Sequence, residues 1–180
     1  MPSSIPSYGE AWLFGIRVHE YSSSGLQKLR AAPIGFIFQT FHLIGSLNAL
    51  ENILLVMRFN HMNKKDANRR AVHLLERFSI EYLIRAYPCS MSQGEKQRVA
   101  VARALANNSE LIIADEPTGS LATEQGMNIV NLLKESSKTE NLCVIIASHD
   151  QRIANYANRV LFLKDGGLSR LHDTYIPFME

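Results

Sequence analysis

Three apolar runs of this 180-residue chain end in polar residues able to do chemistry. Ile34-Gly35-Phe36-Ile37-Phe38 runs into Gln39, Leu111-Ile112-Ile113-Ala114 into Asp115 and Glu116, and Val144-Ile145-Ile146-Ala147-Ser148 into His149 and Asp150. A carboxylate at the tip of a buried strand suits Mg²⁺ beside the phosphates of a nucleotide, where the ion keeps several of its waters. A second carboxylate beside it suits orienting or deprotonating an attacking water. The same pair, followed by Pro117 and Gly119, equally suits the capping of a turn. His149 taken alone reads more readily as a structural histidine, and Gln39 alone carries almost no signal. Their coincidence is what points to a site, because ligands of open α/β sheets collect beyond the carboxyl ends of the strands.

A fourth element adds to this. Ser92-Gln93-Gly94-Glu95 opens a helical stretch, and Ser92 followed three positions later by Glu95 forms a capping box. That pattern by itself predicts only a well-capped helix. Free amides at the helix start, with Gly94 letting a ligand come close, would also receive a phosphate. The charge of Glu95 opposes an anion there unless its side chain turns back to cap.

The elements that must hold these residues follow from periodicity. Strands are expected at Trp12 to Val18, Ile34 to Phe38, Leu111 to Asp115, Leu142 to Ser148 and Arg159 to Lys164. The last four are continuous apolar runs, which suits strands covered on both faces in a parallel sheet. Helices are expected at Lys65 to Phe78, where Ala67, Ala71, Leu74, Leu75 and Phe78 share one face, and at Gln93 to Asn107 and Gln125 to Ser137. Lys64-Lys65 and Arg69-Arg70 fall on the polar face of the first helix and read as solvated. The segment from Thr40 to Ser90 holds helices and no convincing strand, so it reads as an insertion between sheet strands. Asp165-Gly166-Gly167 reads as a turn opening a final hairpin. The expected class is α/β with a mostly parallel sheet.

Composition narrows the function classes. The formal charge of +2 marks no strongly basic face. The longest apolar runs are far shorter than a membrane span. The first residues lack the basic and apolar regions of a secretory signal. Cys89 and Cys143 without CxxC spacing make a disulfide framework or a four-ligand zinc site unexpected, and a reducing cytoplasm the natural setting.

These residues, in this order, resemble the nucleotide-binding subunit of ABC transporters, most of all the lipoprotein-release and macrolide-export group. Ile34 to Gln39 resembles the Q-loop, and Leu47 to Asn52 the segment after it. Met91 to Glu95 with Gln97-Arg98-Val99-Ala100 resembles the signature motif and its helix. Leu111 to Glu116 resembles Walker B, Pro117 to Ala122 the start of the D-loop, and Ser148-His149-Asp150 the switch histidine. The likeness runs from about Tyr8 to about Leu171, and five ordered motifs are highly specific.

The resemblance implies a catalytic α/β core over 1–40 and 92–180 and an inserted helical subdomain over 41–91. It implies ATP and Mg²⁺, with Asp115 and Gln39 at the metal, Glu116 as general base and His149 at the γ-phosphate. Ser92, Gln93, Gly94 and Glu95 would meet the nucleotide of a second subunit. The implied partners are another cassette, as homodimer or mixed dimer, and an integral-membrane permease, at the inner face of the cell membrane. No nucleic-acid partner is expected: the DNA-repair branch needs a long coiled coil or zinc modules, which this chain cannot supply.

The family's phosphate loop needs Gly-Lys-Ser or Gly-Lys-Thr, yet none of the ten glycines here is followed by lysine. The sequence therefore reads as beginning downstream of that loop, N-terminally truncated relative to the family. It is expected to bind ATP poorly alone, to be inactive in isolation, and to be marginally stable and prone to associate. Gln93 stands at a position usually held by glycine, Glu95 where Gln is common, and Ala122 where the family has Asp.

Overall fold

The computed structural model describes residues 8–10, 12–17 and 33–170. The chain divides into two compact units, 1–33 and 34–180. In the first unit, Trp12–Leu13 (β1) and Ile16–Arg17 (β2) pair antiparallel around Phe14 and Gly15. The single strand expected over Trp12 to Val18 is thus corrected to a small hairpin. A two-residue turn with both residues at positive φ (49° and 74°) reverses the chain where apolar content alone suggested continuation; Val18 lies outside the described residues.

The second unit contains three parallel strands in the order β3-β4-β5: Ile34–Phe38, Leu111–Asp115 and Cys143–Ala147. Between β3 and β4 lie helix α1 (Ala49–Phe59), helix α2 (Lys64–Arg77), two short 3₁₀ turns, and helix α3 (Gln93–Leu105). Helix α4 (Thr123–Glu140) crosses from β4 to β5. Caps start these helices where local chemistry favours them. Asn48 accepts from the Glu51 amide while Glu51 reaches back to the Asn48 amide, both at 2.9 Å. Buried Asn52 donates to the carbonyls of Ile44, Leu47 and Asn48 and accepts from the Ile44 amide, which ties down the loop ahead of α1.

Apolar residues of α1 and α2 join Val99, Val101, Ala102 and Leu105 of α3, and Ile37, Ile112 and Ala114 of the sheet, in one core cluster. Helix α3 is its axis, and its alanines allow a close approach to β3. A Cβ at Gly35 would stand 2.2 Å from the Ala104 carbonyl oxygen and 2.6 Å from Ile112 Cδ1, so only glycine fits there. Arg70 turns inward, contrary to the solvated reading. Its Nε and Nη2 donate to the carbonyls of Ala106 (2.7 Å) and Leu105 (2.8 Å) at the open end of α3.

Among the described residues, the expectation that the sheet strands are covered on both faces is corrected. One face of the sheet carries the core, while on the other Phe36 is 39% and Ile145 53% exposed. Continuous apolar sequence reports a strand's composition on both sides and not what packs against them. The expected strand at Arg159 to Lys164 forms as β6 (Leu161–Lys164), and only its place is corrected: it pairs antiparallel with β7 (Gly167–Arg170) in a separate two-stranded sheet and not in the parallel one. The two-residue turn Asp165-Gly166, both at positive φ, sends the chain straight back, as the sequence predicted for a final hairpin.

Candidate functional site

Register decides where the chemistry falls. Phe38 pairs with Asp115 and Asp115 with Ala147, so β3, β4 and β5 end level. Gln39, Glu116 and Ser148 are each the first residue beyond one of these strands, on the same sheet edge.

Glu116 is the centre of this edge. Its amide donates to the Ala147 carbonyl at 2.9 Å, and its backbone sits in the left-handed region, with φ at 45°. A glutamate held there is strained, a state that persists only where the surroundings enforce it. The carboxylate accepts from the His149 amide (3.0 Å), from His149 Nδ1 (2.7 Å) and from the Ser148 hydroxyl (3.0 Å). Partial burial pushes the Glu116 pKa up, but those three hydrogen bonds and the imidazole charge outweigh it and hold the group below its ordinary range. The same hydrogen bond, then the charge of Glu116, raises the His149 pKa. Donation from Nδ1 leaves Nε2 as the ring's outward nitrogen, on a side chain 82% exposed.

Gln39 meets the same structure from β3. After Glu116 the chain turns, with the Gly119 amide donating to the Glu116 carbonyl at 3.1 Å. The Gln39 side chain lies over that turn so closely that a Cβ at Gly119 would stand 2.7 Å from its Nε2. The Ser120 hydroxyl donates to the Gln39 carbonyl at 3.0 Å. Asp115 closes β4 with an exposed side chain, and among the described residues no hydrogen bond or ion pair engages its carboxylate. Asp150 is committed elsewhere: it grips Arg152 through both oxygens, at 2.9 and 2.8 Å.

The four residues at the start of α3 form a second group. Ser92 caps the helix, and Glu95 turns back to accept from the Ser92 amide and hydroxyl, both at 2.7 Å. The Tyr82 hydroxyl donates to its other oxygen at 2.7 Å. Bonds from the Ser92 hydroxyl, the Ser92 amide and Tyr82 lower the Glu95 pKa. Gly94 faces Gln125, whose Oε1 would lie 3.3 Å from an added Cβ. A half-open cavity of 240 Å³ at this end is lined in part by Tyr82, Ser92, Gly94, Glu95, Arg98 and Gln125. The structure therefore brings Gln39, Glu116 and His149 together, with Asp115 adjacent in sequence, and places Ser92, Gln93, Gly94 and Glu95 in a separate cluster.

Sequence reasoning passed over the role of Ser148 and of two polar side chains of α3, Gln97 and Arg103. The usable signal was spacing: Gln97 stands three and four positions before Ala100 and Val101, and Arg103 three and four after Ala100 and Val99, which puts both beside the apolar face of the helix. Among the described residues, no three His, Cys, Asp or Glu side chains cluster as a metal site, and no helix is long and apolar enough to cross a membrane.

Residues 3–119 match the sequence model of the family described as ABC transporter. The chain is 38% identical over 169 residues to an uncharacterized ABC transporter ATP-binding protein, MJ0796, of Methanocaldococcus jannaschii, covering 92% of this chain and 72% of that protein. It is 40% identical over 162 residues to a macrolide export ATP-binding/permease protein, MacB 2, of Yersinia pestis, covering 89% of this chain. The chain spans about a quarter, 24%, of that relative's length. Among solved structures it is similar to a dimeric, post-hydrolysis MJ0796 cassette bound to ADP and phosphate, with a TM-score of 0.80 and 35% identity over 95% of this chain and 77% of that one. With its parallel sheet, its ordered sequence elements and these matches, the chain belongs to the ABC transporter family and carries the fold of that family's ATP-binding cassette.

Proposed function

We propose that this chain serves as the ATP-binding part of an ABC transporter, coupling ATP hydrolysis to transport through a membrane permease from the cytoplasmic face of the membrane. The observation that carries the reading is the level sheet edge on which Glu116 holds His149 at 2.7 Å while Gln39 rests on the turn after Glu116. In this reading 1–40 and 92–180 form the catalytic core, 41–91 the helical subdomain, and the chain works as a homodimer or in a mixed dimer with another cassette.

The residues present fit Mg²⁺. An uncommitted carboxylate at Asp115, with the Gln39 amide oxygen, is the kind of sparse oxygen set this ion uses when phosphates and water complete its shell. Bound there, Mg²⁺ would offset phosphate charge. Three donors occupy three of roughly four lone-pair positions of the Glu116 carboxylate, which leaves one on Oε2 for a water proton. Glu116 is then the general base, and His149, fixed through Nδ1, presents Nε2 toward the γ-phosphate. Ser92 and Gly94, with Gln93 and Glu95 around them, would meet the nucleotide held by the partner cassette.

A second reading is favoured by the separation of the capped start of α3, with Ser92, Gly94 and Glu95, from the sheet edge that carries Glu116 and His149. Here the chain lends its α3 start to a partner's nucleotide while its own Glu116 is idle. ATPase measurements on a reconstituted mixed dimer with an intact cassette separate the two. Catalysis at Glu116 predicts that Glu116→Gln lowers turnover by about 10²–10⁴-fold, the usual worth of a general base. If Ser92→Ala removes the activity and Glu116→Gln leaves it unchanged, the lending role stands and the catalytic one is wrong.

A further inference from the structure

Helix α3 touches more than the cap at its start. Gln97, one turn in, is completely buried, and its Nε2 donates to the Pro117 carbonyl at 2.7 Å, one residue after Glu116. Six residues further along, about 9 Å at 1.5 Å per residue, Arg103 donates to the carbonyl of Phe41 at 2.8 Å and to that of His42. Phe41 and His42 follow Gln39 closely and both hold left-handed backbone, with φ of 62° and 47°. One helix thus grips both loops of the candidate site through side chains whose hydrogen bonds, among the described residues, go to loop carbonyls alone.

These contacts are costly to build. A buried amide or guanidinium is unfavourable unless hydrogen-bonded, and Oε1 of Gln97 is buried without a partner among the described residues. An apolar side chain would pack the same space without that penalty, so packing alone does not account for Gln97. The loops give a reason. Pro117 follows a strained glutamate, and Phe41 and His42 are two successive strained residues; each strained segment needs an external anchor to persist.

We propose that Gln97 and Arg103 are positioning residues that set, from a single helix, the backbone of the loops bearing Glu116 and Gln39. A shift of the Ser92 end of α3 then reaches both loops at once. The meaning for catalysis rests on the proposed function, but the grip on the loops is testable without nucleotide.

The test is amide hydrogen exchange followed by NMR on the whole chain. Gln97→Met removes the donor together with the unpaired Oε1. It is expected to speed exchange at Gly119 and Leu121, the amides that close the turn after Glu116, at least tenfold, with Ala71 and Leu74 of α2 changing less than threefold. Arg103→Met is expected to do the same at Phe41 and His42, and Arg103→Lys, which keeps a donor, to return them to within threefold of the parent. Uniform acceleration across the chain, no acceleration at the loops, or no rescue by lysine overturns the proposal. Should a variant fail to fold, the parent chain decides: Gly119 and Phe41 must exchange within tenfold of Val101 in α3, and faster independent opening refutes the coupling. Absence of ATPase activity from a mixed dimer containing the parent chain, with these exchange results intact, would sink the functional reading alone.

Discussion

Glu116 and His149 are 33 positions apart yet share two hydrogen bonds, and the pair sets each other's charge. Because His149 gains a carboxylate partner in the folded chain, its proton is held more tightly there than in the unfolded one, with Asp150 adding to the effect. The stabilisation from that side is complete below the ordinary value of 6.5 and is lost as the pH rises through the raised folded value. Glu116 behaves oppositely: its contribution is present above its ordinary 4.5 and fades as the pH falls through the lowered folded value. The pair is therefore fully formed between the two values and weakens on both sides. NMR titration of the His149 ring is expected to give a midpoint above 6.5, and Glu116→Gln to bring it back down. A midpoint at or below the ordinary value in the parent chain would show that the contact does not form in solution.

At the level of elements, α3 carries the arrangement. Its contact with β3 depends on the missing side chain of Gly35, where the obstructing atom is the backbone oxygen of Ala104 and cannot swing away. Gly35→Ala must push helix and strand apart. It is expected to cost at or above the top of the roughly 1–3 kcal/mol typical of overpacking, read from the urea midpoint. Since β3 ends in Gln39 and α3 reaches the loops through Gln97 and Arg103, the same change should also broaden NMR signals around Gly119. An unchanged midpoint would mean that β3 and α3 are not packed this closely.

For the molecule as a whole, apolar surface is unevenly covered. Besides Phe36 and Ile145 on the sheet, Phe59, Leu163 and Leu168 are each at least 70% exposed. Scattered exposure is ordinary, but an open sheet face is a surface that partners or other copies can cover. The 180-residue chain by itself is expected to self-associate at micromolar concentration and to unfold with a broad transition. Sedimentation velocity showing only monomer, together with a narrow and fully reversible thermal transition, would contradict this.

Local chemistry was enough to announce much of this protein. The capping box of Ser92 and Glu95 spans three positions, and the hairpin at Asp165-Gly166 rests on adjacent residues, so short-range geometry specifies both. The strands at Ile34, Leu111 and Leu142, with the polar residues that end them, were legible because an apolar run stops where solvent begins. Packing determined the rest. The bond from Gln97 to Pro117 spans 20 positions, that from Arg103 to Phe41 spans 62, and that from Ser120 to Gln39 spans 81. No periodicity encodes such pairings: they exist only once parallel strands lie in register and α3 has settled against them. The apolar pattern likewise does not say which strand residues stay exposed, as Phe36 and Ile145 do, since hydropathy states only what a strand offers for burial.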